Sequence, residues 1–113
     1  MDLTPELASR LLHGLAENHL HRLEVLARKG GRASMVELLG VTNDSDLRIL
    51  SYFQGALSRK IRRLVGDQEK GLHLIGWDYD STEWNDDHTL IINGDCYITD
   101  ASVSALRQAL GMS

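Results

Sequence analysis

The segment that decides the fold extends from Asn43 to Val65 and has the sequence NDSDLRILSYFQGALSRKIRRLV. Its apolar residues recur at spacings of three and four, which predicts one long helix with a single buried stripe. The stripe consists of Leu50, Phe53, Leu57, Ile61 and Leu64. The opposite face of the helix carries Arg48, Tyr52, Gly55, Arg59, Arg62 and Arg63. We therefore expect this helix to bury one side and to present positive charge on the other.

Charge along this segment follows the helix macrodipole. Asp44 and Asp46 lie at its start and the basic residues lie at its end, which is the stabilising order. The basic face has two interpretations. It is either the solvated surface of an ordinary core helix or a surface that docks on an acidic partner, and the segment alone leaves both open.

Capping patterns predict helices before the central segment. Thr4-Pro5-Glu6 begins a helical segment 5–28, which Gly30-Gly31 ends. Asn18 either caps a second helix within that segment or lies inside one long helix. Ser34 begins a short helix with the spacing of a capping box, because a glutamate follows three residues later, and Gly40 ends that helix.

After the central segment the period changes from helical to extended. Alternating and β-branched residues predict antiparallel strands at 72–79, 89–92 and 95–98. Asn93-Gly94 is the strongest two-residue hairpin signal, and Gly76 lies where the alternation slips, which suggests a β-bulge. Residues 80–87 form a polar, acidic loop in this interpretation. Thr99 then caps a last helix at 100–110, which Gly111 ends.

Size and composition fit one globular domain over residues 1–113. Hydrophobic residues make up 42% and charged residues 25%, which is typical of folded proteins. No apolar run has the length of a transmembrane helix, and the N-terminus lacks the features of a signal peptide. Cys96 is the one cysteine and has no internal disulfide partner, so we expect a cytoplasmic protein with no membrane association.

Net charge divides unevenly along the chain. The total is −4, but residues 1–70 carry a net +2 and residues 71–113 a net −6. Such an asymmetry suggests two surfaces with different partners.

The pattern resembles the winged helix-turn-helix superfamily over residues 16–98. The motifs that carry the resemblance are Leu23-x-x-Leu26 before Gly30-Gly31, Ser34-x-x-Glu37-Leu38, Ala56-Leu57-Ser58-x-x-Ile61-x-x-Leu64, and Gly71-Leu72. The chain also resembles small bacterial winged-helix-like domains of unassigned function, through its tryptophan-containing strands and the Tyr97-Ile98-Thr99 lead into a terminal helix. The resemblance implies an α+β fold, with a helical N-terminal part, a helix-turn-helix at 34–65, a small antiparallel wing at 72–98 and a C-terminal helix.

The resemblance further implies binding of duplex DNA through the central helix, as in a small bacterial or phage transcriptional regulator. Gln54 and Ser58 would contact base edges. The basic side chains that would attract phosphate are Arg59, Lys60, Arg62 and Arg63. Such proteins commonly pair to span two half-sites, and the leucine-rich segment 5–28 has more apolar residues than one helix usually buries, so we expect a homodimer.

The acidic residues 78–87 oppose this interpretation, because a wing that touches phosphate is normally not acidic. The alternative is a winged-helix protein-interaction module that binds no DNA and uses the acidic hairpin, with Trp84 as an apolar anchor.

No pattern indicates an enzyme, a metal site or a cofactor. The acidic loop lacks the glycine and the glutamate of a helix-loop-helix calcium site. The histidines have no zinc-ligand spacing, and Cys96 has no defined base beside it. We therefore predict a non-enzyme without cofactor or metal.

Overall fold

The computed structural model describes residues 1–66 and 73–112, which form five helices and three strands. In chain order they are α1 (Pro5–Leu12), α2 (Glu17–Arg28), β1 (Arg32–Ser34), α3 (Met35–Gly40), α4 (Arg48–Val65), β2 (Gly76–Trp84), β3 (Ile91–Tyr97) and α5 (Asp100–Leu110). The strands make an antiparallel sheet in the order β1-β3-β2. The predicted α+β class is confirmed, and the order of the elements is compatible with the winged-helix-like arrangement that the resemblance implies. The Gly71-Leu72 motif and the start of the predicted strand 72–79 lie outside the described residues.

Helix α4 buries the stripe that its sequence predicts. Leu50, Phe53, Leu57 and Ile61 are at most 1% exposed, and Leu64 packs against the core at its edge. The helix begins at Arg48, where an Asp46 carboxylate oxygen accepts a hydrogen bond from the Arg48 backbone N–H at 3.0 Å. It ends at Gly66, which has a φ of 72°. The buried side of α4 therefore fixes which residues face outward.

Helix α3 has the predicted capping box. The Ser34 hydroxyl oxygen accepts from the Glu37 N–H at 3.1 Å, and the Glu37 carboxylate accepts from the Ser34 N–H at 3.2 Å. Arg22, which no sequence pattern singled out, is only 1% exposed and connects α2 to this region. Its Nε donates to the Leu38 carbonyl at 3.0 Å and its Nη2 to the Thr42 hydroxyl at 2.7 Å. These bonds fix the junction between α3 and α4.

The N-terminal segment is two helices, and Gly14 lies between them with a φ of 71°. The second helix has Ala16 at its N-cap, so Asn18 does not cap it. Leu11, Leu23 and Leu26 are fully buried within the chain's own core. Because these side chains pack inside one chain, the leucine content of the segment no longer argues for a dimer.

The predicted turn at Asn93-Gly94 is wrong, because both residues lie inside β3. Asn93 serves α3 instead: its side-chain oxygen accepts from the Val36 N–H at 3.2 Å. A Cβ at Gly94 would lie 3.4 Å from atoms of both Met35 and Thr82. This glycine allows close packing rather than a turn.

The turn lies at residues 85–90, and Asn85 builds it. The Asn85 side-chain oxygen accepts from the Thr89 N–H at 2.9 Å and from the Leu90 N–H at 3.2 Å. We call β2, this turn and β3 the hairpin. Most of the predicted acidic loop is therefore strand, since β2 continues to Trp84.

The predicted bulge at Gly76 is also wrong, because the register shifts between Asp78 and Glu83. Gly76 pairs with Tyr97, whose ring would lie 2.5 Å from a Cβ at that position. Strand β1 was not predicted, since its three residues are too short to show alternation. It pairs with β3 and carries Arg32, which forms ion pairs with Asp78 and Asp95.

Helix α5 begins and ends as predicted. The Thr99 hydroxyl accepts from the Ser102 N–H, and Gly111 ends the helix with a φ of 72°. Val103 and Leu106 are buried as expected, and α5 packs on α1 and α2.

The glycine pair after α2 gives a matched test of the backbone. Gly30 and Gly31 have φ values of 77° and 100°, but only at Gly31 would a Cβ meet neighbours, with Val103 Cγ2 at 2.7 Å. We expect Gly30→Ala to cost about 1–2 kcal/mol of unfolding free energy, the cost of a left-handed conformation. Gly31→Ala should cost clearly more, as measured by urea denaturation. Equal costs would contradict the described packing.

Stability should fall in mild acid because of His19. Its ring lies 5.5 Å from that of Phe53, and burial followed by the charge of Arg22 lowers the pKa of His19 from its ordinary value of 6.5. The unfolded chain therefore takes up a proton that the folded chain resists, so stability is complete above about pH 6.5 and decreases as the pH falls below it. Urea denaturation between pH 7 and pH 5 should show this slope, and His19→Gln should flatten it. The exposed His21→Gln control should keep the wild-type slope.

Candidate nucleic-acid interface

The outward face of α4 carries three arginines near its C-terminal end, Arg59, Arg62 and Arg63, which we call the arginine ridge. Together they line a shallow hollow of about 370 Å³. Arg59 and Arg63 are exposed and form no ion pair with any acid in residues 1–66 and 73–112. Arg62 is half-buried. The ridge therefore offers guanidinium groups in an arrangement that suits an anionic ligand.

Gly55 contributes to the position of Arg59. A Cβ at Gly55 would lie 3.2 Å from Arg59 Nη1, so the guanidinium lies over the glycine, one turn back along the helix. Gly55 was predicted on this face of the helix, but its contact with Arg59 was not predicted. The missing side chain makes room for the arginine at the surface.

Several of the predicted nucleic-acid residues are buried or have partners within the chain. Gln54 donates from Nε2 to the Ile75 carbonyl at 2.9 Å, and Ser58 is only 5% exposed. The Lys60 ammonium donates to the His13 carbonyl. The Gln54 amide is therefore occupied and the Ser58 hydroxyl is almost completely removed from solvent, and the contact of both residues with base edges stays a prediction. At about 100° per residue both fall on the flank of α4 rather than on its outer face.

The hairpin surface combines apolar and acidic groups. Its large apolar side chains are unusually exposed: Tyr79 82%, Leu90 67%, Ile92 54%, Trp84 45% and Ile91 37%. Trp84 was predicted as a possible apolar anchor and residues 89–92 as a strand. The exposed cluster was not predicted, although the sequence contains a signal for it: three apolar residues follow one another without alternation next to a turn. Asp86 and Asp87 are exposed at the tip.

A groove lies between the N-terminal half of α4 and the hairpin. It consists of two hollows of about 720 and 350 Å³, which share the lining residues Leu47, Ser51, Trp84 and Ile91. The lining is mainly apolar, with Arg48 and Asp46 at the α4 side of the larger hollow. Arg48 hydrogen-bonds to Asp46 and lowers the pKa of that carboxyl. We call this feature the groove.

The groove and the arginine ridge occupy different ends of one helix. Arg48 and Arg59 are eleven residues apart, or about 16 Å along the helix axis. One end presents apolar side chains beside an acidic hairpin tip, and the other presents guanidinium groups. The uneven charge of the two halves of the sequence thus corresponds to two separate surfaces.

In the described parts of the chain, no three His, Cys, Asp or Glu side chains lie close enough together to hold a metal ion. Burial, reinforced by Asp95, raises the pKa of the Cys96 thiol to about 12. A thiol of this kind is not a ready nucleophile.

Comparison with protein families, curated proteins and solved structures finds no match for the chain. In residues 1–66 and 73–112, no helix is both long and apolar enough to cross a bilayer.

Proposed function

We propose that the protein is a member of the winged-helix superfamily that binds duplex DNA through the arginine ridge. The observation that carries this proposal is the exposure of Arg59 and Arg63 on the outer face of α4 without an acidic partner in the described residues. The resemblance noted in the sequence suggests regulation of transcription as the role of such binding.

The contacts proposed here are to phosphate. Arginine binds phosphate oxygens in a bidentate fork, and such contacts position a protein on DNA without reading its sequence. The Gln54 amide donates to the Ile75 carbonyl and Ser58 is buried, so the described residues of α4 supply few groups for base edges. We therefore expect binding with weak sequence preference and a clear dependence on salt.

The hairpin is placed away from the DNA in this proposal. Asp86 and Asp87 at its tip would be repelled by phosphate, unlike the basic wing of a protein that touches the backbone with its hairpin. Contact through the C-terminal half of α4 keeps these carboxylates at the distant end of the helix.

A second candidate function is a winged-helix protein-interaction module that binds no DNA. The exposed apolar side chains of the hairpin favour it, since monomers rarely expose a large contiguous apolar patch. The DNA titration described next separates the two functions.

Fluorescence anisotropy with a labelled duplex of mixed sequence tests DNA binding. We expect the logarithm of affinity to fall linearly with the logarithm of salt concentration, with a slope of about −2 to −3 for two to three neutralised phosphates. Arg59→Gln with Arg63→Gln should weaken binding about tenfold or more and make the slope shallower by about 2.

The matched control is Arg10→Gln with Arg28→Gln, which removes the same charge from exposed positions on α1 and α2. This control should bind almost as the wild type does. Absence of binding at low salt would reject the proposal in favour of the second candidate, and equal losses in the two double variants would show that the ridge is not the site.

A further inference from the structure

We propose that the groove is a self-association surface, which holds the hairpin of a second copy of the chain in a twofold dimer. The proposal goes beyond DNA binding and does not depend on it. It assigns a partner to the apolar surface that the arginine ridge leaves unexplained.

The hairpin has a large exposed apolar area. The hairpin exposes Tyr79, Trp84, Leu90, Ile91 and Ile92 by 37–82% of their surfaces. An aromatic side chain alone offers about 150–250 Å², so together these residues expose several hundred Å². A standard protein interface buries about 800 Å² on each partner, and this exposed apolar surface would supply a substantial part of that area. A phosphate group would not be stabilised by contact with such an apolar surface, whereas a second apolar surface would be stabilised by its burial.

The hairpin and the groove together form a surface that can be complementary to itself. A twofold interface uses one surface on both copies, so that surface needs both a projection and a recess. The hairpin supplies projecting side chains in Leu90 and Ile92, which are 67% and 54% exposed. The hollow of about 720 Å³ supplies the recess, and Leu90 and Ile92 form part of its hairpin wall while Leu47 belongs to its other side. Each hairpin can therefore fill the groove of the other copy.

Charges on the groove wall and on the hairpin tip also favour a second copy as the occupant of the groove. Arg48 lies on the α4 wall of the groove with 82% of its side chain exposed. It gives Nε and Nη2 to Asp46, while its Nη1 donates to no other described residue. The exposed tip of each hairpin carries Asp86 and Asp87. In a twofold dimer the tip carboxylates of one copy approach Arg48 of the other, and both pairs form at once.

Both surfaces can be used together, because about 16 Å of helix separates Arg48 from Arg59. The dimer would also withdraw the acidic tips into the interface. DNA binding by the arginine ridge could then proceed without repulsion from the hairpin.

Analytical ultracentrifugation across the micromolar range tests the apolar part. We expect the wild type to dimerise, and Leu90→Asp or Ile92→Asp to weaken association at least tenfold. The control is Val36→Asp on α3, because Val36 is 54% exposed, as Ile92 is, but does not line the groove. Circular dichroism checks that each variant is folded. A monomeric wild type, or a loss of association in the control equal to that of the groove variants, overturns the proposal.

A charge exchange tests the geometry independently. In a dimer of the Asp86→Lys, Asp87→Lys variant, each positively charged tip faces Arg48 of the other copy. In a dimer of the Arg48→Glu variant, the negative charge at position 48 faces the acidic tip of the other copy. Each variant alone should associate more weakly than the wild type. Their equimolar mixture should form a heterodimer, because both contacts then join opposite charges. A mixture that associates no better than its components overturns the twofold arrangement, whatever the outcome of DNA binding.

Discussion

The burial of the apolar stripe of α4 is the constraint on which the rest of the structure depends. Leu50, Phe53, Leu57 and Ile61 are almost completely removed from solvent, and full burial of each such side chain contributes about 1.5–3 kcal/mol. With that side fixed, the helical period alone determines that Arg48, Arg59 and Arg63 lie outside. Arg22 fixes the junction before the helix, because its guanidinium bonds to the end of α3 and to the following turn. The proposed contacts of α4 therefore depend on which side of this helix is buried.

One helix thus presents two chemically different surfaces. Near its C-terminus the outward residues are arginines, which attract anions. Near its N-terminus the helix forms the wall of a groove whose other side is an apolar hairpin with an acidic tip. We propose DNA for the first surface and a second copy of the chain for the other. An acidic hairpin that contacted DNA as a wing would weaken DNA binding. The same hairpin is compatible with DNA binding if it contacts the second copy of the chain instead.

Local signals in the sequence predicted most of the helical structure. Ser34 and Thr99 cap their helices with hydroxyl oxygens a few residues from the N–H groups that they satisfy, so the pattern contains both partners. The apolar stripe of α4 was predicted for the same reason, because its period is a property of the segment itself. The arginine ridge follows from that stripe.

The errors arose where distant residues decide the structure. Asn93-Gly94 has the composition of a turn but serves contacts with α3 and β2, which are remote in sequence. Gln54 donates to the Ile75 carbonyl, and no property of α4 alone indicates that acceptor. Arg22 is buried because its guanidinium finds two hydrogen-bond acceptors, the Leu38 carbonyl in α3 and the Thr42 hydroxyl in the turn after it. The groove was missed because it forms only when α4 and the hairpin come together.

The central claim is that the outward face of α4 binds DNA at its C-terminal end while the hairpin does not. Its most direct test is the mapping of amide chemical shifts in the isotopically labelled protein as duplex DNA is added at constant protein concentration. We expect the largest changes in amide chemical shift at residues 55–66 and little change at residues 83–92. Changes that cluster on the hairpin, or that are absent along α4, would contradict it.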